Sequence, residues 1–231
     1  LSVPSGAARV IGSRRPAGAV SPTPPSMNVI FGAAREIEES CRAHAWGFCI
    51  IGGLAVQRWG EPRLTRDVDV TLLTGFGTER GFVDELLRSF RGRIPDAREF
   101  ALANRVLLLL SSDGVPIDIA LGAMPFEEAA VRRATPYRVA PDVELTTCSA
   151  EDLVVMKAFA GRDRDWADVE GIATRQGPRL DEELAWRELL PLLDLKEDRD
   201  AEPRLRRILG GRWADGPSTR RPAEPQSVSP R

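Results

Sequence analysis

The stretch Ile51-Gly52-Gly53-Leu54-Ala55-Val56, followed by Arg63-Leu64-Thr65-Arg66-Asp67-Val68-Asp69-Val70, decides how this chain folds. Phe48 to Ile51 is a short apolar run, which reads as a buried strand. Gly52-Gly53 breaks it. Leu54 to Trp59 then reads as a helical turn or two, closed by Gly60 and Pro62. Val68 to Leu73 is β-branched and apolar, a second strand. Strand side chains alternate, so Asp67 and Asp69 share one face while Val68 and Val70 face the core. Two carboxylates side by side repel unless a cation neutralises them. Hard oxygen ligands at this spacing suit Mg²⁺. The alternative is a solvent-facing acidic pair at a strand start.

Further along, Arg105 to Ser111 and Val115 to Leu121 read as strands joined at Ser112-Asp113-Gly114, a hairpin signal. Ile117, Ile119 and Leu121 share one face of the second strand, so Asp118 points to the other. A carboxylate on so apolar a strand costs free energy if buried unpaired. A metal shared with Asp67 and Asp69 would remove that cost. Gly52-Gly53, after a strand and before a helix, lets backbone N–H groups approach an anion. It lacks the Gly-Lys-Ser/Thr of a P-loop and the third glycine of a dinucleotide fingerprint. A tight strand-to-helix turn is the plainer reading of the same pair. Lys157 lies in the apolar helical stretch Leu153 to Phe159, where it either snorkels to solvent or reaches an anion. Asp163-x-Asp165-x-x-Asp168 lacks the Gly and closing Glu of a calcium loop and reads as helix N-terminal charge, with a further part in orienting Lys157 or Arg162.

The remaining pattern is a mixed α/β half followed by a helical half. Helical spacing covers 28–45, ended by Gly47. An amphipathic helix spans Phe82 to Phe90, and Pro125 opens another through Arg133. Tyr137 to Ala140 and Val143 to Thr147 read as edge strands. Ser149 with Asp152 resembles a capping box and starts a helix Leu153 to Ala160. Helical segments follow near 165–175, 181–193 and 202–209. Trp166, Trp186, Leu189, Leu190, Leu192 and Leu193 read as helical core, with a partner surface as the other reading. The expected organisation is a tail over 1–26, an α/β domain over 27–148, a helical region over 149–213 and a tail over 214–231. Pro, Gly and Ser make up half of residues 1–26, too little apolar surface to pack.

Composition removes several classes. The 231 residues are 42% hydrophobic and 29% charged, so the chain as a whole is globular rather than disordered. The longest aliphatic run, Val106 to Leu110, is far short of a membrane span. Cys41, Cys49 and Cys148, an odd number, argue against a disulfide scaffold and for a reducing, cytoplasmic setting. One His and three scattered Cys leave little for a zinc site. A His-dependent hydrolase would have to use His44, which reads as part of an amphipathic helix. The net charge is −2, with basic ends and an acidic centre, which does not support a broad grip on nucleic acid.

Strand, Gly-Gly, short helix, Asp-x-Asp and a third Asp on a later strand together resemble the DNA polymerase β-type nucleotidyltransferase superfamily. Gly52-Gly53-Leu54-Ala55, Arg63 through Asp69, Asp118 and the stretch Glu151 to Asp168 resemble most closely the bacterial minimal, AbiEii-like group of toxin–antitoxin type. The resemblance spans roughly residues 45–170. It implies an α/β (α+β) fold, a mixed β-sheet with flanking helices followed by a C-terminal helical segment. It implies Asp67, Asp69 and Asp118 as catalytic residues and metal ligands for two Mg²⁺ ions, with Mn²⁺ as a substitute, and Asp118 as proton acceptor. Gly52, Gly53, Arg63, Thr65 and Lys157 would bind the nucleotide, with fixing the loop beside the metal strand as the other role for Thr65 and Arg63. Arg63 and Arg66 as plain surface charges is the other reading. The implied reaction moves a nucleoside monophosphate from an NTP to an acceptor that is RNA, protein or a small molecule, in a toxin–antitoxin or phage-defence setting with a partner protein. Gly53 departs from the pattern, standing where many active members have Ser. Two other readings stay open. One is a module that binds nucleotide or a toxin–antitoxin partner without turnover. The other is an Asp-x-Asp glycosyltransferase, which leaves Gly52-Gly53 and Asp118 unexplained.

Overall fold

The computed structural model describes residues 26–198 and 200–210. The expected tails, Ser26 apart, lie outside the described residues. Among these, seven strands form one mixed sheet in the order β3-β4-β5-β2-β1-β7-β6. The strands are β1 (Phe48–Ile50), β2 (Val68–Leu73), β3 (Arg91–Gly92), β4 (Val106–Leu110), β5 (Pro116–Gly122), β6 (Thr135–Ala140) and β7 (Val143–Thr147). β2 runs parallel to β5 and β1 parallel to β7; the other pairs are antiparallel. The mixed α/β architecture expected from the sequence is the one observed.

Alternation along the strands divides the core in two. Val68, Val70, Leu72, Ile117, Ile119, Leu121, Leu107 and Leu109 point to one face. There they meet α1 (Met27–Ala43), α3 (Glu79–Ser89) and α4 (Ala97–Asn104). The second core joins α2 (Gly52–Trp59) and α5 (Pro125–Arg133) to the helical half: α6 (Ala150–Ala160), α7 (Asp163–Gln176), α8 (Glu182–Lys196) and α9 (Ala201–Leu209). Trp166, Trp186, Leu189 and Leu193 are buried there. Helices α6 to α9 thus pack on the face of the sheet opposite α1.

Several local expectations shift. α1 stops at Ala43, before Gly47, because Ala45 takes the left-handed φ of 54° that turns the chain. Val143–Thr147 is not an edge strand but lies between β1 and β6. β3 and α4 carry no clear sequence signal: β3 has two residues, and α4 buries only the small Ala97 and Ala101. The Ser149 cap forms, its hydroxyl oxygen accepting from the Asp152 N–H at 3.1 Å. Cys41, Cys49 and Cys148 are free and buried. Among the described residues no helix is long and apolar enough to cross a membrane.

Candidate active site

Asp67 lies in the bend that leads into β2, and Asp69 is the second residue of that strand. Because Val68 and Val70 fill the first core, Asp69 emerges on the opposite face. Asp118 does the same on β5, between buried Ile117 and Ile119. The parallel register sets Asp69 directly opposite Asp118. Neighbouring strands stand about 4.8 Å apart, so the two carboxylates are side by side. Like charges in that position destabilise a sheet. Burial pushes Asp69 up to about 6, with Asp67 and Asp118 adding to the rise, while Lys157 and the Gly53 backbone N–H pull it down.

The start of α2 fits tightly over these acids. Gly52 has φ +58°, and a Cβ there would stand 1.9 Å from Asp69 Oδ2. Both the backbone angle and the lack of room require glycine. At Gly53 a Cβ would stand 2.4 Å from Thr65 Oγ1. Thr65 is buried, and its hydroxyl donates to Asp67 Oδ1 at 2.8 Å. The Gly53 N–H, expected at a phosphate, acts on the Asp69 carboxylate in this structure.

Lys157 does not snorkel. Its side chain is 12% exposed, and Nζ sits 2.9 Å from both Asp165 Oδ1 and Asp168 Oδ2. Arg63 clasps Asp168 with two parallel bonds, Nε to Oδ1 at 2.7 Å and Nη2 to Oδ2 at 2.8 Å. Burial raises Asp168, but hydrogen bonds from Arg63 and Lys157 outweigh it and hold the carboxyl below its usual range. Asp168 in turn pulls Arg63 upward against burial. The acidic start of α7 therefore orients Lys157 and Arg63, beyond its charge on the helix end. A cavity of about 500 Å³ opens beside this network, lined by Asp67, Asp69, Arg63, Lys157, Arg162 and Arg164 among others. A larger hollow of about 760 Å³ among α7, α8 and α9 includes neither Asp67, Asp69 nor Asp118.

Sequence reasoning missed Arg93. It follows β3, whose two residues give no pattern, and nothing in its spacing points to Asp118. Its guanidinium meets Asp118 twice, Nη1 to Oδ1 at 2.7 Å and Nη2 to Oδ2 at 3.1 Å. His44 stands apart from the site, at the end of α1, stacked on Trp46.

The donor set can be tested against a divalent cation. Asp67 and Asp69 offer hard oxygens on one wall of the cavity, and Asp69 stands in register with a further carboxylate, so this pair fits. Asp118 is taken up by Arg93. Among the described residues no three His, Cys, Asp or Glu side chains stand grouped to hold an ion as they are.

No protein-family model matches the chain, and no curated protein matches it significantly. Solved structures do. The chain is similar to an antigenic nucleotidyltransferase-like protein from Paracoccidioides brasiliensis, at 16% identity and a TM-score of 0.48, over 80% of this chain and 95% of that one. It is similar to the antibiotic-resistance factor ANT(2'')-Ia at 14% identity and a TM-score of 0.49, over 74% and 94% of the two chains. It is also similar to the lincosamide antibiotic adenylyltransferase LnuA, lincomycin-bound, at 11% identity and a TM-score of 0.43, over 62% and 96%. The neighbours are nucleotidyltransferase-like proteins; at these identities and scores the chemistry of the site rests on its own side chains.

Proposed function

We propose that this chain is a nucleotidyltransferase that moves a nucleoside monophosphate from an NTP to an acceptor hydroxyl, with pyrophosphate leaving. The observation that carries the reading is Asp69 in register with Asp118, with Asp67 beside them and the Gly52-Gly53 helix start packed onto Asp69. Asp67 and Asp69 would hold Mg²⁺, or Mn²⁺ in its place; a second ion would need Asp118. Bound there, the cation supplies charge neutralisation for an in-line displacement at the α-phosphate. Lys157 and Arg63, fixed by Asp165 and Asp168, face the triphosphate across the cavity. Gly52 and Gly53 let the nucleotide approach the backbone. Asp118, once free of Arg93, accepts the proton of the attacking hydroxyl. Residues 27–148 form the catalytic unit, and 149–213 lend it Lys157.

The acceptor is RNA, a protein or a small molecule. The toxin–antitoxin setting and a partner protein follow from the AbiEii-like resemblance. The three free thiols support a cytoplasmic location.

One contact favours a second reading. The Arg93–Asp118 ion pair neutralises the third carboxylate within the protein, although Asp118 Oδ1 keeps no hydrogen-bond donor among the described residues, which suits a module that binds nucleotide without turnover. Incubation with each labelled NTP, Mg²⁺ and a cell extract tests both. Label on an acceptor supports transfer. Thermal stabilisation by NTP and Mg²⁺ with no label moved supports the module. No stabilisation at millimolar ligand overturns both.

A further inference from the structure

Within 61–67, the coil that joins α2 to β2, Thr65 is the buried residue. Its hydroxyl carries one proton and has two oxygens in reach: Asp67 Oδ1 at 2.8 Å and the Asp67 carbonyl at 3.2 Å. The shorter contact, to the ionisable carboxylate, takes the proton. On its other side Thr65 meets the start of α2. A Cβ on Gly53 would stand 2.4 Å from Thr65 Oγ1 and 2.7 Å from Thr65 Cβ. No side chain at 53 fits while Thr65 stands there. Positions 53 and 65 compete for one volume, and Thr65 holds it.

Asp67 needs such a support. It precedes the first ladder residue of β2, so strand pairing does not fix its side chain. We infer that Thr65 is a positioning residue for the proposed cation site: its hydroxyl holds the Asp67 carboxylate at the cavity wall, and Gly53 is glycine so that Thr65 can do so. This rests on the nucleotidyl-transfer reading of the site. Of the two roles expected for Thr65 from the sequence, binding phosphate and fixing the loop, the hydrogen bond to Asp67 favours the second. It also accounts for Gly53 without loss of function: residue 65 fills the space, and its hydroxyl is spent on a ligand carboxylate.

Mn²⁺ binding to the full chain, followed by loss of the free-ion paramagnetic resonance signal, reads the site without turnover. Thr65→Ser keeps the proton and should bind within about twofold of wild type, whereas Thr65→Val keeps the shape, loses the proton and should bind roughly tenfold more weakly. Asp67→Asn, run beside them, should lose most binding. The packing half of the inference is read from melting temperature. Gly53→Ala should lower it, although alanine favours a helix over glycine. Adding Thr65→Ala should restore most of the loss, a strongly non-additive pair. A folded Thr65→Val chain that binds Mn²⁺ like wild type overturns the inference alone. Additive effects of Gly53→Ala and Thr65→Ala overturn it too, and decide the matter if Thr65→Val does not fold. A wild-type chain that binds no Mn²⁺ at millimolar concentration, or an Asp67→Asn chain that binds it fully, overturns the nucleotidyl-transfer reading and this inference with it.

Discussion

Two acidic clusters border α6, and they obey opposite rules. At its start, Asp152 is 0% exposed, yet its charge is matched. Arg133 reaches both its oxygens and also Glu188, and the Ser149 hydroxyl donates to Oδ2 at 2.7 Å. Across from Lys157 on the same helix, Asp69 has two acids for neighbours and is driven up to about 6, burial leading. The difference separates two uses of buried charge. A balanced cluster ties α5, α6 and α8 together and belongs to the fold. An unbalanced one is held in place by the sheet despite its repulsion, and it favours any cation that binds.

Breaking the unbalanced cluster should have the largest effect, on activity. Asp69→Asn should cut nucleotidyl transfer on the order of a thousandfold, the scale of removing a main charge-stabilising group. The same change should raise the melting temperature of the metal-free chain, since the cost of burying a carboxylate and its repulsion by Asp67 and Asp118 are both relieved. Transfer assays beside calorimetry check both, and a variant with full activity refutes the assignment.

Breaking the balanced cluster should act on stability instead. Arg133→Met leaves Asp152 buried without its partner, a loss of about 3–5 kcal/mol. Urea unfolding reads it. Adding Asp152→Leu should recover most of that loss, because the uncompensated charge goes with it.

A pH series sharpens the contrast. Asp69 has a folded value near 6 against an ordinary 3.8, so the native state binds more protons between them. Stability of the metal-free chain should therefore fall as pH rises from about 4 to 6, by up to about 3 kcal/mol. Asp168 has the opposite sign: its depressed value adds stability above its ordinary range, lost as pH falls through the folded value. The first slope should vanish in Asp69→Asn while the acid limb from Asp168 remains. An unchanged slope in that variant would remove Asp69 as its source.

Lys157→Ala should weaken NTP binding roughly tenfold, one charge-assisted contact. The fold should survive with reduced stability, because Arg63 still holds Asp168 while buried Asp165 loses its close partner. Equal affinities by calorimetry would leave Lys157 a purely structural role. The smallest effect is expected from trimming to residues 27–213, which lack of periodic apolar positions in the removed ends should leave nearly without influence on Tm.

The short-range features of this chain were legible in its sequence because they are local periodicities. Period-two alternation placed Val68 and Val70 inward and Asp67 and Asp69 together. The same rule on β5 set Asp118 opposite Ile117 and Ile119, and Asp113-Gly114 marked the hairpin. Ser149 announced α6. The helical half followed from 3.6-residue spacing. Strand order was not legible, and neither was anything that depends on it. Only the pairing of β2 with β5 brings Asp69 against Asp118, 49 positions apart in the chain. Charge partners were equally hidden. The acids of α7 read as partners for Lys157 or Arg162, and only the fold picks Lys157 and adds Arg63 on Asp168; Asp118 reads as unpaired until an edge strand with no pattern delivers Arg93. The Gly53 hydroxyl gap reads as a loss until Thr65 is seen filling it. Residue type and spacing determine which face a side chain takes, since that needs only the backbone of its own strand or helix. What the side chain meets there depends on elements that arrive from far along the chain, and close packing decides it.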